Sequence, residues 1–132
     1  MKKLMLFLAL FIFLGINAMA QTVTLQMCER YGQYGPEGVG NTFTPGYLTV
    51  VAYSTSAMYY TNIFIQFDKL KNGQYKYYKK FPFTFPNGYS TVYFSRGKTN
   101  DMSFDSPGYY NVWLLDSNGY VIASTTVTIV SK

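Results

Sequence analysis

The side chains able to carry chemistry are few and of restricted type. The 132 residues include no histidine and one cysteine, with 11 Lys+Arg against 6 Asp+Glu. Without imidazole there is no Ser–His or Cys–His nucleophile pair, no histidine metal ligand and no histidine acid–base group. Cys28, standing alone, closes no internal disulfide, completes no cysteine-rich zinc site and forms no redox pair. The carboxylates are Glu29, Glu37, Asp68, Asp101, Asp105 and Asp116. A glycosidase needs two that face each other, one with a raised pKa, and none of these stands in an evident pair. The chemistry to expect is binding rather than catalysis, with no cofactor and no metal.

Three polar groups remain. Asp101-x-Ser103-x-Asp105 is similar to the start of a calcium loop, but Ser106 stands where such a loop needs glycine and Val112 where it needs glutamate. The alternative is a polar connection whose aspartates bond backbone amides. Lys69, Lys71, Lys76, Lys79 and Lys80 cluster with Tyr75, Tyr77 and Tyr78. Lysines among aromatics can bind nucleic acid, yet they equally protect an exposed edge strand from pairing with other chains; the modest charge favours the second, and no nucleic-acid partner is expected. The segment 29–46 holds glycines at 32, 35, 38, 40 and 46 with Tyr31, Tyr34 and Phe43. A connection of that length is either a site or a mobile or self-packed loop.

The most informative side chains depend on the elements that carry them. Beyond residue 20 the chain is rich in Tyr, Phe, Val and Thr and poor in Leu, Ala and Glu, which is strand composition. No stretch keeps a 3.6-residue period. Asn-Gly occurs at 72–73, 87–88 and 118–119 between β-rich runs, and such a pair favours a tight hairpin because both residues tolerate positive φ. Seven strands follow: A near 22–28, B near 47–53, C near 59–67, C′ near 74–81, E near 89–95, F near 109–116 and G near 120–130. Seven short strands in one domain point to an all-β antiparallel sandwich, with a closed barrel as the rival. Phe81-Pro82-Phe83-Thr84-Phe85-Pro86 carries two prolines, which cannot donate within a sheet, and reads as an edge or a crossover.

Alternation then assigns faces. Ile63, Ile65 and Phe67 on C, with Tyr110, Val112 and Leu114 on F, form the inner set. Their neighbours must face out: Asn62, Phe64 and Gln66 on C, and Tyr109, Asn111 and Trp113 on F. Lys76, Tyr78 and Lys80 on C′ extend that face. A solvent-facing sheet has no need of Phe and Trp on its wet side, since each exposed large apolar group forgoes roughly 1.5–3 kcal/mol of burial. Such a patch either marks a partner surface or only stabilises the sheet through cross-strand aromatic pairs, at about 0.2–1 kcal/mol per pair. Its mixture suits sugar rings, with aromatic faces for C–H surfaces and amides that both donate and accept. The expected partner is a glycan or glycoconjugate; the alternative is another surface protein, or a second copy, in an assembly role.

Ser106-Pro107-Gly108-Tyr109-Tyr110-Asn111-Val112 resembles the approach to strand F in immunoglobulin-like and fibronectin type III-like domains, where Gly-x-Tyr-x-apolar places a tyrosine corner. Gly108, Tyr110 and Val112 match it. The Asp116-Ser117-Asn118-Gly119 hairpin and the Thr-Val-Thr-Ile ending look like bacterial secreted members of that class. The resemblance covers the last third well and the rest by strand count; there is no disulfide pair and no tryptophan on C. It implies sheets A-B-E and C′-C-F-G, with the Tyr110 hydroxyl bonded to nearby backbone. The C-terminal region also resembles the sorting domains of bacterial type IX secretion, although 127–132 lacks their lysine-rich final strand.

Ahead of that domain, Lys2 and Lys3, an apolar run over 4–16 and Ala18-Met19-Ala20 form the three-part pattern of a secretory signal. The apolar run is well short of the roughly 20 residues that span a bilayer, so no membrane span is expected. Cleavage would leave one domain, 21–132, outside the cytoplasm, in the periplasm or beyond. Cys28 in that setting is a buried small hydrophobe or an intermolecular pairing site.

Overall fold

A computed structural model describes residues 22–98 and 100–132. The segment read as a secretory signal, 1–20, lies outside the described residues. Among the described residues all regular structure is β, and no helix is long and apolar enough to cross a membrane. The strands are β1 (Val23–Cys28), β2 (Arg30–Gly32), β3 (Gly35–Glu37), β4 (Thr42–Phe43), β5 (Gly46–Tyr47), β6 (Thr49–Met58), β7 (Asn62–Lys71), β8 (Gln74–Thr84), β9 (Tyr89–Phe94), β10 (Ser103–Phe104), β11 (Gly108–Asp116) and β12 (Val121–Ile129).

Two sheets carry the architecture, in the orders β1-β6-β9 and β4-β12-β11-β7-β8. All their neighbours pair antiparallel except β4, which runs parallel to β12. β1, β6 and β9 fall on the segments read as A, B and E; β8, β7, β11 and β12 fall on those read as C′, C, F and G. The further elements β2 to β5 and β10 are two or three residues long, too short to show a period in sequence.

Each sheet turns one face to a common core, and alternation decides which residues reach it. Val50, Ala52, Val92 and Phe94 come from the first sheet, and Ile63, Ile65, Phe67, Val112, Leu114, Val127 and Ile129 from the second, all buried. Met102 and Phe104, from the connection between β9 and β11, close the interior. Phe104 stacks on Phe67 at 4.4 Å between ring centroids and meets Tyr110 edge-on at 4.9 Å, geometries that add to simple area burial. The Tyr110 side chain is wholly buried and its hydroxyl donates to the Ser106 carbonyl at 2.6 Å. Gly108 has φ 152°, and a Cβ there would meet Lys69 Cε at 2.9 Å, so this corner requires glycine.

The three Asn-Gly pairs have different outcomes. At 72–73 both residues take positive φ, 52° and 80°, in a two-residue hairpin closed by Lys71 and Gln74. At 118–119 only Gly119 does. There the Asp116 carboxylate organises a longer turn, accepting the N–H groups of Asn118 and Tyr120 at 2.9 Å each. At 87–88 no hairpin forms, because β8 and β9 belong to different sheets. The chain crosses over instead, held by Phe85 N–H on the Thr61 carbonyl and Gly88 N–H on the Met58 carbonyl, both 2.8 Å. Phe85 is buried in the core and Pro86 has no N–H to continue a ladder; these outweigh the local turn preference.

The glycine-rich segment folds back on the domain. β2 and β3 form a small ribbon, and Tyr31 stacks on Tyr93 at 4.3 Å with rings 5° from parallel. By alternation Cys28 and Val51 point away from the main core, yet both are wholly buried. The Cys28 thiol lies against the backbone of Arg30 and Glu37, and burial pushes its pKa up, which makes it a packed hydrophobe rather than a reactive thiol.

Candidate binding face

The outer face of the five-stranded sheet is built by register. Across β8, β7, β11 and β12 one row reads Lys80, Gln66, Trp113, Ser124 and the next Pro82, Phe64, Leu115, Val121. On the other side of the tryptophan row stand Tyr77, Asp68, Asn111 and Thr126. The inward neighbours Ile63, Ile65, Phe67, Tyr110, Val112 and Leu114 are wholly buried, while Phe64, Gln66, Asn111 and Trp113 are half-buried and Asn62 and Tyr109 exposed. The aromatic and amide side chains read from alternation therefore do share one face.

One carboxylate orients two of them. The Trp113 indole N–H donates to Asp68 Oδ2 at 2.8 Å, and the Gln66 amide donates to Asp68 Oδ1, also at 2.8 Å. The indole N–H and the Gln66 amide nitrogen are thus both engaged on that carboxylate. Asn62 and Asn111 have no side-chain hydrogen bond among the described residues and keep full donor and acceptor capacity. The Lys80 ammonium lies over the Phe64 ring, 4.6 Å from its centroid, a cation–π contact. A depression of about 480 Å³ opens beside it, lined by 62–64 of β7, 82–84 of β8 and Ser117.

Two of the expected members are elsewhere. Tyr78 packs against the core, its ring 5.4 Å from that of Tyr110 and its hydroxyl on Asp105 at 2.8 Å. Lys76 is paired with Lys69, whose ammonium reaches inward to Ser106. The reason is a bulge: the register of β7 against β8 shifts between Phe67 and Asp68, so that Phe67 faces Lys79 and Asp68 faces Tyr77. One extra residue reverses the parity beyond it. Tyr77, 65% exposed, takes the outward place assigned to Tyr78. Asp68 is a second addition: strand C, placed near 59–67, runs on to Lys71, and Asp68 is an interior residue of β7.

The Asp101–Asp105 segment already contains a cation. Lys79 Nζ sits 3.0 Å from Asp101 Oδ2, 3.4 Å from Asp105 Oδ2, 3.0 Å from the Ser103 carbonyl and 2.9 Å from Ser103 Oγ. The oxygens that resembled a calcium loop are turned on this ammonium, and among the described residues no group of three or more His, Cys, Asp or Glu is placed to hold a metal ion. The sequence matches no protein-family model and no curated protein.

Asp68→Ala is the direct test of this geometry. It leaves the indole N–H and the Gln66 amide without their charged acceptor, at an expected cost of about 1–3 kcal/mol. Urea unfolding followed by tryptophan fluorescence reads both the stability and the altered setting of Trp113. An unchanged midpoint and an unchanged native spectrum would contradict the role given to Asp68.

Proposed function

We propose that this chain is a secreted, non-catalytic binding module with an immunoglobulin-like β-sandwich fold, taking glycans or glycoconjugates on the outer face of its five-stranded sheet. The fold reading is supported by two sheets around one core, by the pairing orders, and by the Tyr110 hydroxyl held on the Ser106 carbonyl. The functional reading rests on one observation above all: Trp113 is kept on the solvent side of its strand and fixed there by Asp68. A pre-oriented indole loses little freedom on meeting a sugar ring. Tyr109 extends the platform, Asn62 and Asn111 offer amides, Tyr77 borders it, and Phe64 lies beneath the Lys80 ammonium, which a ligand displaces or meets at that end.

The test is titration of the folded domain with a panel of cell-surface polysaccharides, following tryptophan fluorescence. One or more members should shift the emission, and Trp113→Ala should weaken binding about tenfold or more. A panel that leaves both fluorescence and affinity unmoved would overturn the glycan reading. A second reading, docking of another surface protein, is favoured by the apolar row Pro82, Phe64, Leu115 and Val121, which offers sugars little hydrogen bonding. In that case a stable complex would shield Trp113 from aqueous quenchers while polysaccharides would not.

A further inference from the structure

The two sheets end in edges of different character. β8, at one edge of the five-stranded sheet, carries Lys76, Lys79, Lys80 and Pro82, residues that discourage another strand from adding. β4, at its other edge, is two residues long. β1, at one edge of the three-stranded sheet, is partly closed by the bridge between Met27 and Gly40. β9, at the other edge, has none of these protections. Tyr89–Phe94 holds no charge, no proline and no glycine, and five of its six residues favour strands. Among the described residues no strand pairs with its free side. A cleft of about 460 Å³ lies along it, lined by Pro86, Tyr89, Thr91, Val92 and Tyr93.

We propose that β9 pairs with β9 of a second copy of this chain, antiparallel about a two-fold axis through Thr91. The sequence of the strand is self-complementary in that register. Opposed residues in an antiparallel pair share a face, so Tyr89 lies against Tyr93 of the partner subunit, and Thr91 against the partner's Thr91. Tyr89 and Tyr93 are 59% and 50% exposed in the single chain, and pairing covers both. Ser90 meets Val92 of the partner subunit on the inner side. No like charges meet: the strand is neutral, and Arg96 beyond its end falls beside Pro86 of the partner subunit rather than beside its own counterpart. An isologous contact of this kind closes on itself as a dimer, joining two three-stranded sheets into one of six. The edge is distinct from the aromatic face, which stays open on both copies.

Sedimentation equilibrium of the folded domain tests this. The wild-type chain should dimerise with a Kd below about 1 mM, and Thr91→Lys, which sets two ammonium groups on the axis, should weaken the dimer about tenfold or more with its β circular dichroism intact. Thr91→Cys should form an interchain disulfide on oxidation, because residues opposed on neighbouring strands come within bonding reach; Ser124→Cys, on the other sheet, should not. A monomer at every concentration, or a dimer indifferent to Thr91→Lys and uncrosslinked through Thr91→Cys, overturns the proposal. So does a chain that stays monomeric while an extended peptide adds at β9. A dimer lost in Trp113→Ala but not in Thr91→Lys would place the contact on the aromatic face instead.

Discussion

Tyr110→Ala is expected to cost about 3–5 kcal/mol of unfolding free energy, the range for removing a large aromatic ring from a packed core. Folded domains hold only about 5–15 kcal/mol in total, so this change takes much of the margin. The ring is wholly buried, 4.9 Å from Phe104 and 5.4 Å from Tyr78, with the Lys69 ammonium 5.5 Å from its centroid. Tyr110→Phe divides the effect. It keeps the packing but strips the Ser106 carbonyl of its 2.6 Å donor, which is worth about 1–3 kcal/mol where the acceptor is left unsatisfied. Urea unfolding of both variants gives the two numbers. If phenylalanine costs as much as alanine, the ring's packing is not what anchors the corner; if it costs nothing, the hydroxyl bond is not.

The parts of the fold legible in the sequence are those governed by alternation within long strands. Isoleucines at 63 and 65 against Phe64 and Gln66, and Val112 and Leu114 against Asn111 and Trp113, leave one consistent choice of inside. The same rule fails at Tyr78, because a bulge is one uncounted residue and Gln74–Thr84 carries no glycine to announce it. Lys79 faces inward with Phe81 by plain alternation from Lys80, ahead of the bulge, and there meets Asp101 and Asp105. At Asn87-Gly88 two local signals conflicted, a hairpin pair beside prolines that end ladders. Burial of Phe85 between the sheets, a tertiary term, decided it. The ribbon at 30–37 was hidden because its strands are three residues long and one of its contacts, the Tyr93 ring, is distant in sequence.

Lys79→Met is expected to destabilise the domain by about 1.5–3 kcal/mol near neutral pH, the scale of hydrogen bonds to charged groups, and the loss should shrink as pH falls below about 4. The Lys79 side chain is 16% exposed and its ammonium bridges β8 to the 101–105 segment. The Tyr78 and Ser103 hydroxyls, with Lys79 adding its charge, hold the Asp105 carboxyl below the usual carboxylate range. The Ser103 hydroxyl and Lys79 do the same for Asp101. Carboxyls whose folded pKa is depressed stabilise the fold above their unfolded pKa and lose that contribution as pH falls through the folded value. Burial and the Asp105 carboxylate push Tyr78 up to about 12. Its contribution is therefore present below its ordinary pKa and is lost as pH rises through the folded one. The wild-type stability curve should be flat between about pH 5 and pH 9 and fall on both sides. In Lys79→Met the acid limb should be shallower, since its aspartates lose a cation that favoured their charged form. Lys76→Met, at an exposed position, should stay within about 0.5 kcal/mol of wild type. Denaturant midpoints measured from about pH 2 to about pH 12 on the three proteins check this. Equal costs for the two lysines, or a gap that fails to narrow in acid, would show that the ammonium at 79 is not what joins the strand to that loop.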